Sequence, residues 1–263
     1  MQQRIRIRWT KRGRVRYVSA RDLSSVWERA LRRADLPIAY SEGFTPHAKV
    51  SFPDALPVGY DSTGEYAELT FAAPIVPDRD LACLSSTLPE GMDILTYLDV
   101  PDGAPKLARM LRATLWELVW PAVDAAELTD LLTARGQALL ATDHIEVIRH
   151  RPDGDRTIDV RPAVLTLAAA TRRAAPPSGD GEHTVLRAVL RNDGPTVRPT
   201  DLLSALGGDG GSAPGAGAPP DVDVAAPTRI TRVAQGEFGD QGVREALTGE
   251  IEELVPDVDA EAA

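Results

Sequence analysis

The sequence predicts an α+β protein, and three observations carry the prediction. Segments of period two, the mark of half-exposed strands, alternate with segments of helical period. Over the first hundred residues their order is strand, helix, strand, strand, helix, strand. A similar order recurs after a Pro/Gly stretch at 101–105. The expected architecture is therefore two ferredoxin-like (βαββαβ) halves with antiparallel sheets, at 1–100 and 106–206, followed by a flexible acidic C-terminal tail at 207–263.

In the first half, Ile5, Ile7 and Trp9 alternate with Arg4, Arg6 and Arg8, and Val15 and Tyr17 with Arg14 and Arg16. Residues 3–18 thus read as a strand pair or one bent strand, with five arginines on one face. Ser19 and Asp22 form a helix start, and Leu23, Val26, Trp27, Ala30, Leu31 and Ala34 follow at helical spacing. That helix spans about 20–35 and ends before Pro37, with Arg21, Arg29, Arg32 and Arg33 on its outer face. Residues 38–40 and 50–52 read as extended, 41–47 as a Gly/Pro-punctuated loop and 53–64 as turn-rich. Strands are expected at 65–71 and 92–98, with a helix at 78–88 that buries Cys83.

The second half reads as a strand at 113–120, a helix at 124–137 and a strand at 145–150. Pro152-Asp153-Gly154-Asp155 is a hairpin turn. Residues 157–167 are extended, 171–183 form a mobile loop, 184–190 a strand and 200–206 a short helix, with Asp159 and Arg161 as an ion pair. Six Gly and four Pro in 207–228 read as a linker. A last strand is expected at 229–233, and a frayed helix from Glu245.

Composition limits the function classes. The formal net charge of −10 divides unevenly along the chain. Residues 1–50 hold 12 basic and 4 acidic side chains, and residues 201–263 hold 3 basic and 13 acidic. The acidic balance therefore describes the tail and does not exclude a nucleic-acid partner for the N-terminal region. A single cysteine, Cys83, rules out an intrachain disulfide and a Cys-based metal or iron–sulfur cage within these residues. Four scattered histidines give no metal-ligand spacing, so neither metal nor cofactor is expected. No apolar run reaches the roughly 18 residues of a membrane span. No signal-peptide apolar region follows Met1, so a cytoplasmic location without membrane association is expected. Phosphate-loop, dinucleotide, nucleophile-elbow and zincin motifs are not found.

Chemistry concentrates in Tyr40-Ser41-Glu42-Gly43-Phe44-Thr45-Pro46-His47-Ala48-Lys49-Val50-Ser51-Phe52. A His beside a Lys can serve as a general acid or base near neutral pH, making His47, Tyr40 and Lys49 the catalytic candidates. The same donors could clamp a phosphate. The plain alternative is a structural loop whose His caps a carbonyl. Arg14, Arg16, Arg29, Arg32, Arg33 and Lys49, with Phe44 as an aromatic face, are the binding candidates; that mixture suits single-stranded RNA better than a duplex groove. Its alternative is a solvated charged face paired with the acidic residues of 54–102.

Three segments resemble the radical SAM-linked (radical SAM-associated) proteins of unknown function. They are Arg14-Val15-Arg16-Tyr17-Val18-Ser19, Val26-Trp27-Glu28-Arg29-Ala30-Leu31-Arg32-Arg33-Ala34 and Ser41 to Phe52. The resemblance continues through Leu56-Pro57-Val58-Gly59 and Gly64-Glu65-Tyr66, is diffuse to 206 and does not include the tail. It implies a domain found after a cobalamin-binding radical SAM enzyme, or alone in actinobacteria beside a ribonuclease E/G-type gene. The stand-alone form is the one implied here. The resemblance carries no agreed catalytic residues, and one cysteine cannot hold the three-Cys [4Fe–4S] cluster of radical SAM chemistry. Ala48 departs from the family loop, where a second Pro is frequent.

The expectation is a non-catalytic accessory module in RNA metabolism, presenting RNA or an RNA-processing partner on a basic N-terminal face. Two alternatives stand beside it. One is a metal-independent RNA-processing enzyme using His47; the other is a protein-binding adaptor for a radical SAM or ribonuclease partner. If RNA is presented on the basic face, the acidic tail would cover that face in cis; in the adaptor reading the tail would be the contact.

Overall fold

A computed structural model describes residues 2–54, 56–121, 124–173, 182–207, 224 and 226–255. The fold is mixed α+β, with four α-helices among the described residues. The chain divides into two units. The first comprises 1–111 with 231–235 and 245–250; the second comprises the remainder.

In the first unit the elements run β1 (Gln3–Lys11), α1 (Ala20–Arg33), β2 (Val50–Ser51), β3 (Asp61–Phe71), α2 (Pro77–Thr87) and β4 (Ile94–Asp99). Strand β1 lies between β3 and β4 and is antiparallel to both, with Ile7 opposite Ala67 on one side and Tyr97 on the other. Strand β2 adds antiparallel to β3, Val50 opposite Leu69. The period-two apolar residues of β1 then meet the helical stripe of α1. Ile5, Ile7, Trp9, Leu23, Trp27, Leu31, Leu69, Phe71, Leu81, Leu84 and Met92 form one core. Trp9 and Trp27 stand edge to face with centroids 5.3 Å apart, and Phe52 closes the cluster at 6.4 and 6.2 Å from them. Such pairs add roughly 0.5–1.5 kcal/mol beyond the area they bury.

The arginines of β1 correct the sequence reading. Arg6 and Arg8 are 2% and 8% exposed and form no solvent-facing basic stripe. A strand flanked on both edges has a second face that can also be covered. Arg6 Nε donates to Glu68 Oε2 at 2.8 Å and another of its nitrogens to the Pro105 carbonyl. Arg8 donates to Thr63 O and Val233 O. Nor does the strand continue to residue 18: it ends at Lys11, and Gly13–Tyr17 is a 3-10 turn.

The C-terminal segment corrects the tail. Instead of a frayed helix after Glu245, residues beyond 228 hold β10 (Arg229–Gly239), β11 (Gly242–Glu245) and β12 (Ile251–Glu253). Thr231 and Arg232 pair parallel with Asp61 and Ser62 of β3. The approach is close because position 64 is glycine; a Cβ there would lie 2.7 Å from the Ala234 Cα. Tyr66 donates to Glu245 Oε1 at 2.5 Å, and Glu245 Oε2 accepts from the Leu247 and Thr248 amides and the Thr248 hydroxyl. The strand expected at 229–233 is present and runs on to Gly239; what period and composition hide is the β11–β12 pair, whose strands have only 4 and 3 residues. Most of the linker reading at 207–228 lies outside the described residues.

In the second unit the elements run β5 (Ala113–Pro121), α3 (Ala125–Leu140), β6 (Glu146–Arg149), β7 (Arg156–Asp159), β8 (Val164–Arg173), β9 (Glu182–Arg191) and α4 (Pro199–Ala205). Strand β9 is antiparallel to β5 and to β8, while β6 and β7 form the hairpin that Pro152–Asp155 predicts. The Thr228 amide donates to Val119 O and the Arg112 amide to Gly236 O, which lays the ends of β10 beside β5. Helix α3 packs on β8 and β9. Arg149, buried, forks onto Asp201, whose carboxylate also accepts from the Arg198 amide and so starts α4. The strands flanking the expected mobile loop extend into it, to Arg173 and from Glu182; residues 174–181 lie outside the described residues. Asp159 pairs with His144 at 2.7 Å, while the Arg161 guanidinium takes the carbonyls of Leu140, Thr142 and Val164. The expected ion pair between Asp159 and Arg161 is therefore replaced by these interactions. Cys83 is exposed, because α2 buries Asp80, Leu81 and Leu84 instead.

Candidate nucleic-acid interface

The candidate surface lies in the first unit, on the outer side of α1 and the loop that follows it. Ser19 starts the helix by accepting from the Asp22 amide at 3.2 Å. From there the stripe Leu23, Trp27, Ala30 and Leu31 faces the core, which turns Arg21, Arg29, Arg32 and Arg33 to solvent. Arg32 and Arg33 occupy the last turn, where cations complement the helix dipole. Arg33 also reaches the Thr87 carbonyl at 3.4 Å.

Glu28 joins this helix to the loop. Its Oε1 accepts from the Ala48 amide at 3.4 Å and lies 3.8 Å from His47 Nδ1. Tyr40 and Ala48 form a backbone bridge. Within it the Ser41 amide donates to His47 O at 2.9 Å and the His47 amide to Ser41 Oγ at 3.0 Å. The ring so closed holds Glu42 to Pro46 in solvent, with Gly43 at φ +123°, a conformation glycine supplies without strain. At its tip Phe44 is 110% exposed. A phenyl ring with no apolar neighbour forgoes about 2 kcal/mol of burial, so its position calls for a partner or a purpose.

The sequence-derived candidates take different places. Arg29, Arg32 and Arg33 share α1, and Phe44, His47 and Lys49 share the adjoining loop segment. Lys49 is exposed, while its backbone ties the loop to Ala39 O and the Thr70 amide. Arg14 is exposed in the 3-10 turn. Arg16 is half-buried: it donates to the Tyr17 hydroxyl at 2.9 Å, lies 3.5 Å from Asp61 and stacks 4.8 Å from the Tyr17 ring centroid. The Tyr17 hydroxyl, with Asp61 behind it, holds the Arg16 guanidinium above its ordinary pKa. No hydrogen bond or ion pair joins the side chains of Tyr40, His47 and Lys49, so the proposed catalytic set is not assembled as a unit. The sequence reading missed Glu28 as the residue that positions the loop, because an interaction across twenty residues leaves no periodic signal. Arg21 was legible as outer-face but not as part of the site.

Chemically, exposed guanidinium groups with an exposed aromatic ring offer backbone attraction and a stacking platform, without the fixed donor array that reads base edges. Among the described residues no group of three or more His, Cys, Asp or Glu is arranged to hold a metal ion. No helix among them is long and apolar enough to cross a membrane.

A solved structure described as an unknown protein from Galdieria sulphuraria is similar at 14% identity, covering 78% of this chain and 88% of that one, with a TM-score of 0.24. No curated protein matches. The family model described as "Uncharacterized protein conserved in bacteria (DUF2344)" matches residues 4–199, a span that holds α1, the loop and strands β1 to β9. Matched over more than half its length, the chain belongs to the DUF2344 family of proteins conserved in bacteria.

Proposed function

We propose that this protein is an accessory module that binds single-stranded RNA on the surface formed by α1 and the 40–49 loop. The observation that carries the reading is the fully exposed Phe44 ring in a loop closed by the Ser41–His47 hydrogen bonds and tied through Glu28 to α1, whose outer side bears Arg21, Arg29 and Arg32. Base stacking on such a ring contributes about 1–3 kcal/mol and tolerates any sequence. Arginines alongside it neutralise phosphates.

Within this reading each unit is a ferredoxin-like half. In the first, the strand order β4-β1-β3-β2 supports it; in the second, the order β10-β5-β9-β8 with β6–β7 inserted does so. We place the chain in the radical SAM-linked group, in its stand-alone actinobacterial form, acting in the cytoplasm beside a radical SAM protein or a ribonuclease E/G-type partner. The segments quoted from 14–19, 26–34 and 41–52 support that placement.

One observation favours a second reading. His47 stands beside a carboxylate, Glu28, which could orient it as the general acid or base of a metal-independent RNA-processing enzyme. Incubating the purified protein with a single-stranded RNA oligonucleotide separates the two. Retention without cleavage, weakened by Phe44→Ala, is the expected result. Cleavage abolished by His47→Ala would install the enzyme reading instead.

A further inference from the structure

A second feature of the first unit is unrelated to the basic surface. Near the end of β1, Lys11 is 2% exposed, and its Nζ donates to the Val18 carbonyl at 2.8 Å. A small cleft of about 30 Å³ opens beside it, lined by Lys11, Ala20, Leu23, Phe52, Leu56, Asp54 and Glu65. Four of these seven are apolar. Glu65 is occupied by Arg232 at 3.1 Å, and Asp54 by the same guanidinium at 2.7 Å, so the two carboxylates already have a cation. Lys11 is thus an amine set at an apolar-walled opening and held by one carbonyl. The volume suits one or two water-sized groups, such as the head of an unbranched carbonyl compound.

We propose that Lys11 is a reactive amine that forms an imine with small, unbranched aldehydes entering this cleft. The neutral Nζ adds to the carbonyl carbon, forming the C–N bond as the carbonyl π bond breaks. The carbinolamine then loses its hydroxyl together with the nitrogen-bound proton as water, leaving the C=N bond. No oxidant or reductant takes part.

The environment favours the neutral amine that this addition needs. Burial holds the Lys11 pKa below the ordinary lysine value; Glu65 opposes the shift and Arg232 adds to it. Lysines lowered in this way are the ones recruited for Schiff-base chemistry.

The chain provides its own controls, since its other lysines, Lys49 and Lys106, are exposed. The test is reductive alkylation of the full chain with acetaldehyde and cyanoborohydride near neutral pH, followed by peptide mapping. The expected result is one added ethyl group on Lys11, formed at least about tenfold faster than on Lys49 or Lys106, because a larger share of the buried amine is neutral near pH 7. The variant Ala20→Leu, at an exposed helix position on the cleft rim, narrows the opening without touching the core. It is expected to slow labelling of Lys11 while leaving Lys49 unchanged. Labelling confined to Lys49, Lys106 and the N-terminus overturns the proposal. So does Lys11 labelling that Ala20→Leu does not affect, because the aldehyde would then arrive by another route.

Discussion

Arg232 donates from Nη1 to Glu65 Oε1 at 3.1 Å across 167 positions of sequence, with both side chains almost fully buried. The same guanidinium reaches Asp54 at 2.7 Å. A residue from the acidic C-terminal segment therefore completes the charge balance of the N-terminal unit. Removing one partner of a buried pair leaves the other charge unpaired, at a cost of about 3–5 kcal/mol. We expect Arg232→Ala to destabilise the chain by that amount in urea denaturation. The double variant Arg232→Met/Glu65→Leu should recover most of the deficit, because it removes the buried pair together and leaves only Asp54, half in solvent, without its partner. Equal destabilisation by the single and double variants would contradict this.

The same geometry changes what truncation should do. If residues beyond 206 were only a solubilising or covering tail, removing them would leave the body intact. Since 231–235 and 245–250 belong to the first unit, a chain ending at Leu206 loses Arg232, Gln235 and Glu245 together. We expect a markedly lower Tm than that of the full chain. A truncated chain that melts like the parent would show these interactions to be dispensable.

Glu245 gives a pH dependence of defined sign. Burial, the strongest single influence, pushes its carboxyl up. Hydrogen bonds from Tyr66, Thr248 and Leu247 together outweigh it, so the pKa lies below the ordinary 4.5. The unfolded chain then takes up the proton first as pH falls. The stabilisation from Glu245 is present above about pH 4.5 and fades as pH drops through the lowered folded value. Glu245→Gln should reduce stability near neutrality and flatten its decline in acid, as read from urea midpoints over that range. An unchanged acid slope in the variant would contradict the assignment.

Phe44→Ala separates binding from folding. The ring stands fully in solvent, so stability should change by less than about 0.5 kcal/mol. Affinity for single-stranded RNA should fall by about 1–3 kcal/mol, roughly five- to 150-fold. A variant that binds as the parent does would remove the ring from the interface.

Much of the first unit is legible in the sequence, because α1 and the central strands carry complete periodic patterns. The Ser19 start, the Leu23–Trp27–Leu31 stripe and the Gly43 loop all act locally. What escapes is long-range. Arg6 and Arg8 alternate like solvent-facing residues, yet β1 is central, and Glu68 and backbone carbonyls meet them there. Nothing within a short window distinguishes such an arginine from an exposed one. Cys83 sits among apolar neighbours, but the helical phase set by Leu81 and Leu84 turns it outward. The start of β10 is readable at 229–233, but β11 and β12 are too short to show a period, and the partners that anchor Arg232 and Glu245, Glu65 and Tyr66, lie more than a hundred residues away. The loop composition of the candidate site was readable, whereas its attachment through Glu28 spans twenty residues and leaves no local trace.

The most direct test of the proposed interface is the salt dependence of RNA binding, read by fluorescence anisotropy with an unstructured oligouridine of about ten nucleotides. The parent chain should bind, and log K should fall linearly with log salt. The double variant Arg29→Ala/Arg32→Ala should bind more weakly with a slope shallower by about 1.4, roughly 0.7 for each single-strand phosphate no longer neutralised. Parent and variant that show the same slope, or a parent that retains no RNA at about 50 mM salt, would contradict an RNA interface on α1.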